Sequence, residues 1–129
     1  MGMSEALTDG VSINVECAYI SEQSRPEAGY FFFAYRVKIS NEGEQAVKLV
    51  SRHWVITDAL GKTEEVRGKG VVGKQPLLTQ GQSFSYTSAC PLPTPTGTMH
   101  GSYQMIREDG HEFDAVIAPF QLTAHHLLH

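Results

Sequence analysis

Long apolar runs are missing from this chain. Nowhere do 18 apolar residues follow one another, which excludes a transmembrane helix. Cysteine is scarce: Cys17 and Cys90 stand far apart and neither belongs to a CxxC pair, so no zinc site or thioredoxin-like motif is written. In a reducing compartment both read as small buried hydrophobes. The opening MGMSEALTDG has no basic n-region and no apolar h-region, and Ala6 stands where a myristoylation signal asks for Ser or Thr. A cytoplasmic protein is the expectation. Helical patterning is missing too, since apolar residues at i, i+3, i+4 and i+7 never persist beyond about two turns. A basic excess is absent: the formal charge of −4 argues against general nucleic-acid affinity. Catalytic signatures also fail to appear, with no nucleophile elbow, no HExxH and no spaced carboxylate pair in an apolar setting.

What the chain does have is alternation. Its 129 residues, 41% hydrophobic and 19% charged, suit one globular domain able to bury a sizeable core. Residues 1–9 read as a loose N-terminal arm and 124–129 as a tail, with the domain spanning 10–123. Val11, Ile13, Val15, Cys17 and Tyr19 line one face of a strand. Residues 21–29, with Pro26 and Gly29, form a loop. Phe31, Phe33, Tyr35, Val37 and Ile39 then share a face opposite Arg36 and Lys38, and should supply much of the core. After the Asn41-Glu42-Gly43 turn, the strand over 46–57 changes phase: Val47 and Leu49 have one parity, Val50, Trp54 and Ile56 the other. Because a one-residue slip reverses the buried face, a bulge or bend is expected near Val50-Ser51.

Asp58 to Gly61 predicts a tight hairpin returning through Lys62 to Arg67. Strands follow at QSFSYTS from Gln82, at Met99–Ile106 and through Phe113 to Leu122, where Pro119 suggests an edge or break. CPLPTPTG holds three of six prolines and reads as a stiff, irregular connection. Seven or eight short strands with Gly- and Pro-rich connections predict an all-β chain. The expected architecture is an antiparallel β-sandwich of the immunoglobulin or fibronectin type III kind.

SRHWVITD (51–58), EEVRGKGVVGKQPLL (64–78), SFSYTSACPL (83–92), GTMHGSYQM (97–105) and FDAVIAPFQL (113–122) together resemble the ApaG family of bacterial proteins, from about Val11 to Leu122. One departure is Gln80, where many relatives have Pro before the glycine of that turn. The resemblance implies a fibronectin type III-like sandwich. It also implies a family named for genomic proximity to a dinucleoside tetraphosphate hydrolase and often labelled with cobalt and magnesium efflux. Related domains in eukaryotes, within F-box proteins and a polymerase-interacting protein, look like protein-recognition modules. No catalytic set comes with the family.

Charge concentrates where the glycines lie. Residues 48–74 carry +3 and the remainder −7, which suits either a basic solvent face or a surface for an acidic partner. Gly68, Gly70 and Gly73 have the letters of a nucleotide fingerprint, but Pro76 and Gly81 leave no room for the helix a pyrophosphate site requires. A Walker A reading fails as well, since Gln75 follows Lys74 and the spacing is one residue short. The glycines therefore read as a bulge or a positive φ at Gly68 and Gly70 and a turn at Gly73. The functional alternative is an anion nest of successive N–H groups at Arg67, Gly68, Lys69, Gly70 and Gly73, flanked by Lys74, for phosphate or pyrophosphate. Trp54 either lies in the core, capped by the Arg52 stem, or forms with Arg52 an exposed partner-binding pair.

His125, His126 and His129 have a spacing that binds metal only on an ordered helix, and His100 and His111 lack completing ligands, so no metal or cofactor is expected. The leading expectation is a non-enzymatic module that recognises a protein through residues 51–74, with exposed strand edges allowing a homodimer. Anion binding at the glycine loop is the alternative, and a hydrolase comes third.

Overall fold

The computed structural model describes residues 2–124. Nine strands form two antiparallel sheets. They are β1 (Met3–Thr8), β2 (Val11–Tyr19), β3 (Phe31–Asn41), β4 (Val47–Asp58), β5 (Thr63–Lys69), β6 (Leu77–Leu78), β7 (Ser83–Leu92), β8 (Thr96–Arg107) and β9 (Glu112–Thr123). One sheet has the order β1-β2-β3-β7; the other runs β5-β4-β8-β9, with the two-residue β6 also paired to β4. The all-β sandwich is as expected.

Three expectations give way. Residues 3–8 do not form a loose arm: Met3 to Thr8 pairs with Glu16 to Val11 in continuous register. Their own sequence alternates only weakly, and the neighbouring strand supplies the order. With the short β6, this raises the strand count to nine. The proline segment is also mostly strand, since β7 continues through Cys90-Pro91-Leu92 and only residues 93–95 connect it to β8. Pro91 is tolerated because β7 is an edge strand.

The core is built from facing alternations. Val11, Ile13 and Val15 of β2 and Phe33, Val37 and Ile39 of β3 are buried against Met99, Tyr103 and Met105 of β8 and Ile117, Phe120 and Leu122 of β9. The phase change in β4 is a bulge. Leu49 pairs with Met105 and Ser51 with Gln104, leaving Val50 as the extra residue. Leu49 and Trp54 thereby point the same way despite opposite parity, and Trp54 is 3% exposed. Its indole meets Tyr35, Tyr103 and Phe120 at edge-on or T-shaped angles or nearly so, with centroids 5.2, 6.3 and 6.0 Å away for Tyr35, Tyr103 and Phe120. A second irregularity, opposite His100 between Met99 and Gly101, accommodates Pro119 on edge strand β9.

The two lateral sides of the sandwich differ. At the β1/β9 side the sheets close on each other: Thr8 Oγ1 accepts a hydrogen bond from Val116 N–H at 3.1 Å, and Cys17 Sγ donates to Gln121 O at 3.1 Å. At the β5/β7 side they part. Because Trp54 holds both sheets to one aromatic cluster, Trp54→Ala should lower the unfolding free energy by about 3–5 kcal/mol. Urea denaturation followed by tyrosine fluorescence measures this, and a loss under about 1 kcal/mol would show that the indole packs loosely.

Candidate functional site

The open side is a groove, and β4 and β5 place its side chains. Arg52 pairs with Gly68, Trp54 with Val66 and Ile56 with Glu64, so all six lie on the face turned toward the other sheet. The opposing wall is Tyr35 of β3 with Ser88 and Cys90 of β7. Together they enclose about 360 Å³. A second hollow of about 290 Å³ continues past Ile56 and Glu64 to Pro91 and Pro93. Although Glu64 and Val66 face inward, both are exposed, because the sheet opposite ends at β7.

Arg52 stands at the groove mouth. Its guanidinium donates to the carbonyl oxygens of Lys69 (3.2 Å) and Gly70 (2.8 Å). Gly68 makes room for it: a Cβ there would come within 2.6 Å of the guanidinium. Among the described residues no carboxylate lies within ion-pair distance of Arg52. Behind it three tyrosine hydroxyls converge. Those of Tyr86 and Tyr103 hydrogen-bond each other across the sandwich, and Tyr35 stands opposite Ser88 in the β3–β7 register, close enough for the Ser88 hydroxyl to favour its ionised form. Burial raises all three phenols, most strongly Tyr103, while the Arg52 charge pulls each the other way. The Trp54 indole N–H makes no hydrogen bond of ordinary geometry, yet lies near enough the Tyr86 hydroxyl to favour its ionised form.

The partner-binding expectation for Arg52 and Trp54 is half corrected. No exposed Arg/Trp pair forms, because the bulge sends Trp54 into the core and leaves it as the groove's floor; Arg52 alone reaches solvent. At the expected anion nest, some of the donors are already taken. Gly70 N–H bonds Val50 O (2.9 Å), while Val71 N–H and Lys74 N–H bond each other's carbonyls (both 2.8 Å). The N–H groups of Gly70, Val71 and Lys74 are thus used internally, and the carbonyls of Lys69 and Gly70 are what face Arg52. Gly70 and Gly73 do take positive φ, 63° and 78°, beside Val72 at 43°; Gly68 stays in the strand. Moreover, Arg67 and Lys69 lie on the outer face of β5 with His53, away from Arg52 and Gly68. There Glu65 meets His53 at 2.7 Å and Arg67 at 3.5 Å. The structure splits the expected site across two faces.

The Tyr35–Tyr86–Tyr103 group and Glu64 were missed, and only strand pairing brings them together. Among the described residues no group of three or more His, Cys, Asp or Glu could hold a metal. The His111 Nε2 lies 3.6 Å from the Asp9 carboxylate. His125, His126 and His129 lie outside the described residues. No described helix is long and apolar enough to cross a membrane.

Fold and groove together define a small two-sheet antiparallel sandwich domain of the fibronectin type III kind, open along one lateral side. The chain belongs to the ApaG family: the ApaG domain matches residues 21–107. It is 53% identical over 125 residues to Protein ApaG of Methylobacterium nodulans, covering 97% of this chain and 96% of that one. Protein ApaG of Azoarcus is 51% identical over 127 residues, covering 98% and 100%. The crystal structure of a Bordetella pertussis protein described as ApaA superposes with a TM-score of 0.86 at 49% identity, covering 88% of this chain and 92% of that one. The C-terminal domain of wzt shares the fold alone, with a TM-score of 0.55 at 12% identity over 94% and 77% of the two chains.

Burial pushes the Cys90 thiol from 9.0 up to about 11, with the Glu64 carboxylate adding to the rise. The folded state therefore favours the neutral thiol. That stability is full below pH 9.0 and is lost as pH climbs toward about 11. Urea unfolding should show this decline, less steep in Cys90→Ala; equal slopes would mean the thiol plays no part.

Proposed function

We propose that this chain is a non-enzymatic recognition module that binds a protein partner in the cytoplasm through the β4–β5 side of the sandwich. The observation that carries it is β5 itself. Six of its seven residues are exposed and the other half-buried, on both faces, and among the described strands only β4 pairs with it. A strand with so little burial contributes little to the core. Its inner face and free edge are available to a partner, and its outer face carries Arg67 and Lys69 beside a shallow hollow that reaches Ser102, Gln104 and Asp114. The +3 charge of residues 48–74 on an otherwise acidic chain suits an acidic surface and would speed the encounter. The link with cobalt and magnesium efflux that the family resemblance implies would, on this reading, run through that partner and not through a metal held here.

Charge reversal tests it. Arg67→Glu with Lys69→Glu alters exposed side chains only, so the fold should persist while partners recovered with the wild-type chain are lost at moderate salt. Identical recovery by both forms would refute the basic-surface reading. The phosphate alternative has its own test. Because their N–H groups are used internally, Gly70, Val71 and Lys74 should show no saturating amide shifts under millimolar pyrophosphate; saturating shifts there would favour the anion reading.

A further inference from the structure

We propose that β7 accepts an extended, acid-bearing segment of a partner protein as an added strand, laid in the groove beneath β5. This rests on the recognition reading and specifies its mode.

The free edge of β7 follows from hydrogen-bond parity. Asn41 N–H donates to Gln82 O at 3.0 Å, and the register runs without interruption from Ser40↔Ser83 to Phe31↔Leu92. Even-numbered residues of β7 therefore bond β3. Odd-numbered ones turn their N–H and C=O groups outward, so Ser85, Thr87 and Ala89 present an unpaired ladder. Pro91 follows at the next outward position, where it has no ladder bond to lose. The side chains of Ala89 and Pro91 belong to the outer face of the sheet, yet both residues line the groove. What they bring to it is edge backbone.

Unpaired edges are usually guarded by charge. The free edge of β5 is guarded in this way, with Glu64, Glu65, Arg67 and Lys69 among its seven residues. The ten residues of β7, SFSYTSACPL, include no charged side chain. Its protection is steric. At the other lateral side β9 packs on both β1 and β2, which displaces the second sheet outward and carries β5 past β7. A second copy offering its own β7 in an antiparallel pair would bring the two β5 strands onto the same space. A single extended segment avoids that clash. It would pair with Ser85, Thr87 and Ala89 and cover the exposed inner face of Val66.

Charge gives the chemistry of the occupant. Among the described residues Arg52 has no carboxylate partner, and it lies at the mouth beside Tyr35. An inward Asp or Glu on the incoming strand would meet both groups. Glu64 is four residues from Gly68 along β5, about 13 Å away, so it does not repel an acid at the level of Arg52.

The probe is the peptide acetyl-TVTETVT-amide, titrated into the ¹⁵N-labelled chain. The expected result is saturating amide shifts at Ser85, Thr87 and Ala89 and at the Arg52 Nε, with a midpoint near about 1 mM. The Glu-to-Gln peptide and Arg52→Gln should each weaken binding about tenfold. Thr87→Pro, which removes an outward donor and no native bond, should abolish it. A peptide N-methylated on alternate amides makes the same test on the unaltered protein. No shift at these amides in several millimolar peptide, or binding indifferent to N-methylation, would overturn strand addition. Equal binding of the Gln peptide would overturn the acidic requirement. Self-association by sedimentation that Thr87→Pro removes would make the occupant a second copy, against the proposal. Should the peptide fail while Arg67→Glu with Lys69→Glu still loses a partner, recognition stands and strand addition falls.

Discussion

A single inserted residue, Val50, sets the arrangement on which the groove depends. In a strand, a one-residue slip exchanges the two faces, so the residues after Val50 point opposite to the way plain alternation would send them. Trp54 enters the core and Arg52 turns inward with it. The bulge is not left unsatisfied. Val50 O accepts from Gly70 N–H at 2.9 Å and from the Gln75 side-chain amide at 2.8 Å. The glycine turn thus caps the bulge, and Val71, 1% exposed, anchors that turn in the core. The glycines are there for this bond and for the backbone angles it imposes.

From that one displacement the polar interior follows. Arg52 is held over the mouth by two carbonyls, and its charge faces a cluster of phenols whose hydroxyls bridge the sheets. An unpaired cation at the rim is tolerable because the side remains open to water; full burial would demand a carboxylate. The same opening leaves β5 attached by one ladder alone. Stability and availability are distributed unevenly as a result, the closed side holding the packing and the open side the unsatisfied groups.

Much of this was legible in the sequence. The broken alternation from Leu49 to Trp54 located an irregularity near Val50-Ser51, because the period of two leaves no other way to bury both Leu49 and Trp54. Val50 itself, grouped by parity with Trp54, is the extra residue and is exposed. The five alternating residues from Phe31 to Ile39 identified the main core strand in the same way. Met3–Thr8 was not legible, since its order is supplied by β2. Cys90-Pro91-Leu92 looked like a break because proline normally is one, and only the edge position reverses that. One donor of the expected nest is taken for a reason remote in sequence: the N–H of Gly70 is claimed by Val50, twenty residues earlier. Local composition shows where donors are but not which acceptor takes them. The uncharged run SFSYTSACPL was visible throughout, yet an edge strand is recognised only once its neighbours are known.

The closed seam also settles where the ends of the described chain emerge. Gly2 O accepts from Cys17 N–H at 2.9 Å, and Gly2 touches the backbone of Gln121. Entry and exit are therefore neighbours on the spine of the sandwich, across the molecule from the groove. A domain so arranged can be spliced into a longer polypeptide as a cassette.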